Sequence, residues 1–384
     1  MDELHARLER LQSYLRVDPS NINLICDLTD LHLHLGEMDE AGHLMERSGS
    51  LDAHNARHLF QCSQLLIHRH QFADAVELLL KLQDSGVDNA GVRYNLALCH
   101  SMLGNLELAT TLSESLHASP FRCFEGDLLH IRMLHHAGKL EEAISLGEAL
   151  IAEQPEHAGL LGLLALVVLD GGNLEKAGAY ARRAYLIDTD NLEALITLGT
   201  QALEAFELEK AKRFFENATR VKPEEGRGWL GSGIAALQGL DLDLAEGFLE
   251  KSVQLLPGYP VGWNTLAWTR IVKGDIAGAE KAIGTALELD AEFAESFGTL
   301  AVIRVLQGRR GEAEEAILTA RKLDRDGFAA EFAGVLLVGG ELEGRAVREK
   351  VKRILATPAL GRGLTIHRGM KKYLAATKRK AAAG

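Results

Sequence analysis

Histidine is the residue type in this chain whose placement first suggests chemistry. Fourteen of the 15 histidines precede Ala158, and His34, His68 and His136 recur at a fixed 34-residue spacing with Met102 in the vacant place. A zinc site needs imidazoles converging within about 2.0–2.1 Å of one ion. Residues one such step apart on stacked helices lie roughly a helix diameter apart, about 10 Å. No metal site is therefore expected, and these side chains read as turn and groove residues, with a pH-responsive surface as the alternative. His32, His70 and His135 stand one or two residues from the ladder.

The other reactive types are equally scattered. Cys26, Cys62, Cys99 and Cys123 are separated by 36, 37 and 24 residues, with no C-x-x-C pair, so they are expected as packed, reduced thiols. Gly226-Arg227-Gly228-Trp229-Leu230-Gly231 spells G-x-G-x-x-G, which cradles a dinucleotide pyrophosphate only between a strand and a helix. Here it follows Lys222-Pro223-Glu224-Glu225 with no strand pattern before it, and the glycines are expected to serve a helix start. Asp324-Arg325-Asp326-Gly327 is too short for a calcium loop. No catalytic constellation emerges, and neither enzyme activity nor a cofactor is expected.

The elements that must position any site are set by a repeat. Ala41, Ala75, Ala109, Ala143, Ala177, Ala211, Ala245, Ala279 and Ala313 fall at 34-residue intervals. Twelve residues before them stand Ser63, Ala97, Ala165, Gly199, Gly233, Ala267 and Ala301, and seven after them Ala184, Ala218, Ser252, Ala286 and Ala320. Pro155, Pro223 and Pro257 close three of the units, and Trp229 and Trp263 share one place in two of them. Such a pattern suits two antiparallel helices per unit. Small residues permit close approach, glycine supplies positive φ between the helices, and proline ends the second helix.

These features resemble the tetratricopeptide repeat, W-x2-L-G-x2-Y then A-x3-F then P over 34 residues. The resemblance covers residues 22–327 as nine units. It implies an all-α, right-handed superhelical solenoid of antiparallel helix pairs, with residues 1–21 as an N-terminal capping helix and 328–358 as a degenerate tenth repeat. In that last unit Val347 stands where the alanine belongs. Helix A of the fourth unit departs from the pattern at Asp127, His130 and Ile131.

In the family the first helices of each unit line a concave groove that binds a peptide or protein. Helical spacing directs the second, fifth, ninth and twelfth residues of a unit toward it. In the first four units these include Asn23, Asp30, Arg57, Gln64, Tyr94, Ser101, Glu125, Arg132 and His135, a polar set. From the fifth onward they include Leu166, Ile196, Leu203, Leu230, Ile234, Asn264, Trp268 and Ile271, a mostly apolar set. The expected contact residues are Tyr94, Arg132, Leu166, Ile196, Leu230, Ile234, Asn264, Trp268 and Ile271, with an amphipathic or apolar segment as ligand; the alternative places the apolar ones in the core. The Lys/Asn clamp by which some relatives hold a terminal carboxylate is absent, because Cys26, Asp30, Phe60 and Gln64 occupy its place.

Charge divides the chain. The net charge is -12, yet from Arg345 onward 12 Lys/Arg face one acid, Glu349. Residues 359–384 form a basic tail carrying Lys371, Lys372, Lys378, Arg379 and Lys380, suited to the acidic body or to an anionic partner. An acidic body makes nucleic acid an unfavourable partner, and membrane contact is expected only through the tail or a partner. The longest apolar run, Leu160 to Leu169, is far short of a membrane span and contains Gly162. An N-terminus with early acids lacks a secretory pattern, so a cytoplasmic protein is expected. The expected role is a non-catalytic scaffold or adaptor. A chaperone for an apolar client segment and a regulatory subunit of a separate enzyme are the alternatives.

Overall fold

A computed structural model describes residues 2–325 and 327–338 as twenty α-helices, with no strand among them. A single helix, α1 (Asp2–Val17), comes first. Hairpins follow: α2 (Ile22–Leu35) with α3 (Met38–Leu51), α4 (Ala56–His68) with α5 (Phe72–Asp84), α6 (Ala90–Met102) with α7 (Leu106–His117), and α8 (Phe124–His136) with α9 (Leu140–Glu153). Next come α10 (Ala158–Asp170) with α11 (Leu174–Ile187), α12 (Leu192–Glu204) with α13 (Leu208–Val221), and α14 (Gly226–Gln238) with α15 (Leu242–Leu255). Last are α16 (Pro260–Lys273) with α17 (Ile276–Leu289), α18 (Ala294–Leu306) with α19 (Arg310–Leu323), and α20 (Phe328–Val338). The first helix of a hairpin is called A and the second B. The helices divide into two compact units, one over Met1–Ala152 and one beginning at Glu153. The expected partner of α20 and the basic tail lie outside the described residues.

Each hairpin is punctuated by the same two local devices. The residue before helix A caps it: Asn21, Asn55, Asn89 and Asn191 accept hydrogen bonds from backbone N–H groups of the first turn, as do His157 and Glu225. Such a cap is worth about 1 kcal/mol. After helix A, one residue turns left-handed in every hairpin. Gly36, Gly104, Gly138, Gly172, Gly274 and Gly308 do so in six, and His70, Phe206 and Leu240 in the other three, at φ of 59°, 56° and 61°.

The core is a continuous seam of small residues. All nine periodic alanines are 0% exposed. Ala109 packs with Ala97 of its own A helix and with Leu129 and Met133 of the next, and Ala211 is likewise set among Ala202, Leu203 and Ala235. Each B helix is thus wedged between two A helices. Where the seam uses glycine, a ring fills the space. A Cβ on Gly231 would lie 2.2 Å from the Phe215 ring, and one on Gly199 would lie 2.7 Å from it. A Cβ on Gly226 would lie 2.5 Å from Leu256. The glycines of the G-x-G-x-x-G run therefore seat neighbouring helices.

Polar residues in the N-terminal seam are matched one by one. Asp127, at the place occupied elsewhere by Trp229 and Trp263, is buried between His117 Nδ1 at 2.6 Å and Arg122 Nε at 2.7 Å. The two tryptophans donate Nε1–H to the Pro223 and Pro257 carbonyls at 2.8 Å. His58 Nδ1 lies 2.7 Å from Ser48 Oγ, and His130 Nδ1 lies 3.1 Å from Ser113 Oγ while its ring stacks on His117. Burial holds His58, His100 and His130 below the ordinary imidazole value, the neighbouring His117 adding to this at His130. Burial also raises the Cys26 and Cys62 thiols and pushes Cys99 up to about 11.

Three outcomes follow from this packing. His70→Gly relieves left-handed strain of about 1–2 kcal/mol, minus the edge contact of His70 with Phe72, and should raise the urea midpoint of the N-terminal unit. Gly231→Ala forces Phe215 aside and should lower stability by about 1–3 kcal/mol, read from tryptophan fluorescence, since Trp229, Trp263 and Trp268 all lie in the C-terminal unit. Acidification should weaken the N-terminal unit. The unfolded chain takes up protons at histidine below about pH 6.5, before the buried imidazoles do, so stability is lost as pH falls from there toward the lower native values. A helical transition by circular dichroism should then precede the tryptophan transition at pH 5.5, and His58→Gln should narrow the gap.

Candidate functional site

In the N-terminal unit the A-helix face is polar and open. Arg57 on α4 donates to Asp27 and Asp30 on α2, with 41% of the arginine and 46% of the Asp30 side chain exposed. Burial opposes the Arg57 charge, and hydrogen bonds from both aspartates outweigh it, raising its pKa. Gln61 ties this pair into the backbone by donating to the Cys26 carbonyl at 2.7 Å. Tyr94 on α6 is half-buried. Its hydroxyl is raised by burial and then by the charge of Glu125, with Arg132 opposing. Tyr94, Glu125 and Arg132 therefore form one electrostatic group on α6 and α8, and Arg132 is exposed.

In the C-terminal unit the corresponding face is largely packed. Leu166, Ile196, Leu230 and Ile271 keep 8%, 4%, 8% and 0% of their surface and belong to the core. Leu166 packs on Ile196, and Leu230 and Ile271 join the last helices in one cluster. Ile234 and Trp268, 34 residues apart on the adjacent helices α14 and α16, remain partly exposed against that cluster. Asn264, one turn before Trp268, is buried with an Oδ1 that meets no hydrogen-bond partner.

Two contacts in this unit skip a hairpin. Arg227 on α14 donates to both carboxylate oxygens of Asp170 on α10, at 2.9 and 3.3 Å. Burial opposes the guanidinium charge, and Asp170 more than compensates. Trp268 on α16 meets Phe332 on α20 with ring centroids 6.1 Å apart. Neither Asp170 nor Phe332 carries a signal in the repeat pattern, because that pattern relates each residue to its equivalents and not to the second hairpin along.

The histidines are dispersed among these elements, and among the described residues no three His, Cys, Asp or Glu side chains are placed to hold a metal ion. Among the same residues no helix is long and apolar enough to cross a membrane. Lys371, Lys372, Lys378, Arg379 and Lys380 lie outside the described residues.

The tetratricopeptide repeat family model matches residues 132–191 and 196–260. No curated protein sequence matches the chain. Among solved structures it is similar to a monomeric mutant of IFIT1 with m7Gppp-AAAA, at 15% identity over 86% of this chain and 83% of that one, with a TM-score of 0.57. It is also similar to Cut9 of the APC/C Cut9–Hcn1 hetero-tetramer or its partner chain, at 14% identity over 97% and 93%, with a TM-score of 0.49. A third similarity is to YrrB, described as a TPR protein with an unusual peptide-binding site, at 22% identity over 49% and 97%, with a TM-score of 0.37. Together with the alanine seam and the recurring hairpin, the family match identifies the chain as a tetratricopeptide repeat protein, an all-α repeat array of a class that serves generally as protein-interaction scaffolds.

Proposed function

We propose that this protein is a non-catalytic scaffold that holds a peptide or protein segment on the A-helix faces of its repeats. The observation that carries the reading is the pair Ile234 and Trp268. They occupy the same place in successive hairpins and are partly exposed, where Leu166, Ile196, Leu230 and Ile271 are withdrawn into the core. Two apolar side chains one helix spacing apart offer anchor points for an amphipathic helix, which reads a groove through residues at i, i+3, i+4 and i+7. Asn264 adds a polar group beside Trp268. The core residues hold these anchors in place. In the N-terminal unit the open trio of Tyr94, Glu125 and Arg132 suits the polar part of a ligand. A peptide-binding site in YrrB is compatible with this use of the fold.

Panning a displayed random-peptide library on the full chain tests the reading. The expected product is a family of peptides with one apolar face. Ile234→Thr and Trp268→Phe, which keep side-chain shape, should each weaken such a peptide by about 1 kcal/mol, roughly fivefold in Kd, with helical circular dichroism unchanged. Peptides that bind the double variant as tightly as the parent would sink the proposal.

A further inference from the structure

The C-terminal unit contains one ion pair that local helix stability does not explain. Asp170 is the last residue of α10 and Arg227 the second residue of α14. A helix C-terminus disfavours an acid and a helix N-terminus disfavours a base, because the helix dipole has the same sign as each charge there. Both residues therefore sit at the wrong end of their own helices. Their bidentate hydrogen bonding, at 2.9 and 3.3 Å, offsets both mismatches at once. The pair spans 57 positions and joins two A helices that are not consecutive.

The helix between them in the array is α12. Its apolar face residues Ile196 and Leu203 keep 4% and 6% of their surface. They pack with Leu166 and Leu169 of α10 and with Phe215 and Ile234, respectively. Without the cross-repeat contact, these side chains would continue the strip begun by Ile234 and Trp268. The pair itself is not sealed: its side chains keep 28% and 29% of their surface, so water and salt reach it. A hydrophobic clasp would be insensitive to both, whereas a half-exposed ion pair weakens with ionic strength.

We propose that Asp170 and Arg227 form a latch that holds the A-helix face of the C-terminal unit closed over α12, and that a partner segment gains that face by releasing it. The inference rests on the A-helix face being the partner site. The latch is reversible because it is a single partly solvated pair. Release leaves each charge at an unfavourable helix end, which favours reclosure when the partner leaves.

The test uses the full chain carrying Ile196→Cys, with the rate of thiol labelling at position 196 read by peptide mapping. Adding Asp170→Asn, or about 0.5 M NaCl, should raise that rate roughly three- to tenfold, the range expected for losing one partly exposed pair. The charge-reversed pair Asp170→Arg with Arg227→Asp should restore protection, and should also suit both helix ends better than the parent. Equal labelling in all three backgrounds overturns the latch, provided circular dichroism shows each one folded. A second arm measures the association rate of a library-selected peptide, which should rise in Asp170→Asn. Faster labelling with an unchanged association rate overturns the latch as a gate. Failure to select any peptide counts against the partner site, and labelling still decides whether the pair closes the face.

Discussion

The rest of the structure depends on how closely a B helix can approach the two A helices it separates. Nine alanines mark that approach, all fully buried, and Ala109 shows the geometry in full, touching a small residue of its own hairpin and larger ones of the next. A methyl group at that place gives a short interhelical distance, and each hairpin then buries its remaining apolar surface on its neighbour. No hairpin could bury that surface alone, so the stability of every unit is shared with the units beside it. Overpacking at one alanine would be felt on both sides, because close-packed interiors yield little volume.

Close approach has a second consequence, confined to the C-terminal unit. There Gly199 and Gly231 admit the Phe215 ring between them, and α10 is apolar on every side, with an unbroken buried run from Leu160 to Val168. A helix that is apolar all round must be covered all round. Packing of this kind brings A helices near enough for Asp170 to meet Arg227 and for Trp268 to meet Phe332. In the N-terminal unit the same places hold Asp30, Gln61 and Arg57, whose hydrogen bonds link only consecutive A helices. That face stays open and polar. One repeat therefore yields two kinds of surface, according to whether the inner residues need water.

The hairpins, their phase and the alanine seam were legible in the sequence because each depends on residues within one period. The apolar character of the C-terminal inner face was legible too, at Leu166, Ile196 and Leu230. Their exposure was not, since it depends on the second hairpin along, and helical spacing reports direction without reporting what stands opposite. The departures in α8 illustrate the same limit. Asp127 and His130 looked out of place against a pattern of bulky apolar residues, yet Arg122, His117 and Ser113 satisfy them through contacts particular to that hairpin. The caps at Asn21, Asn55, Asn89 and Asn191 follow the period as strictly as the alanines. They are visible in the sequence as a ladder of one residue type, with a mechanism that needs no tertiary contact.

The left-handed turn shows how far the period dictates conformation against residue preference. Six hairpins place glycine there, and three force His70, Phe206 and Leu240 into the same φ. A chain governed by local preference would lengthen or reshape those turns. Instead the helices on either side, each fixed by its own alanine contact, leave one geometry available, and the residue adopts it at an energetic cost. Leu240 recovers part of that cost by packing against the large C-terminal cluster. His70 is exposed and has only the edge of Phe72. The tertiary seam therefore outranks the turn, and residues at the turn are free to vary because the seam does not depend on them.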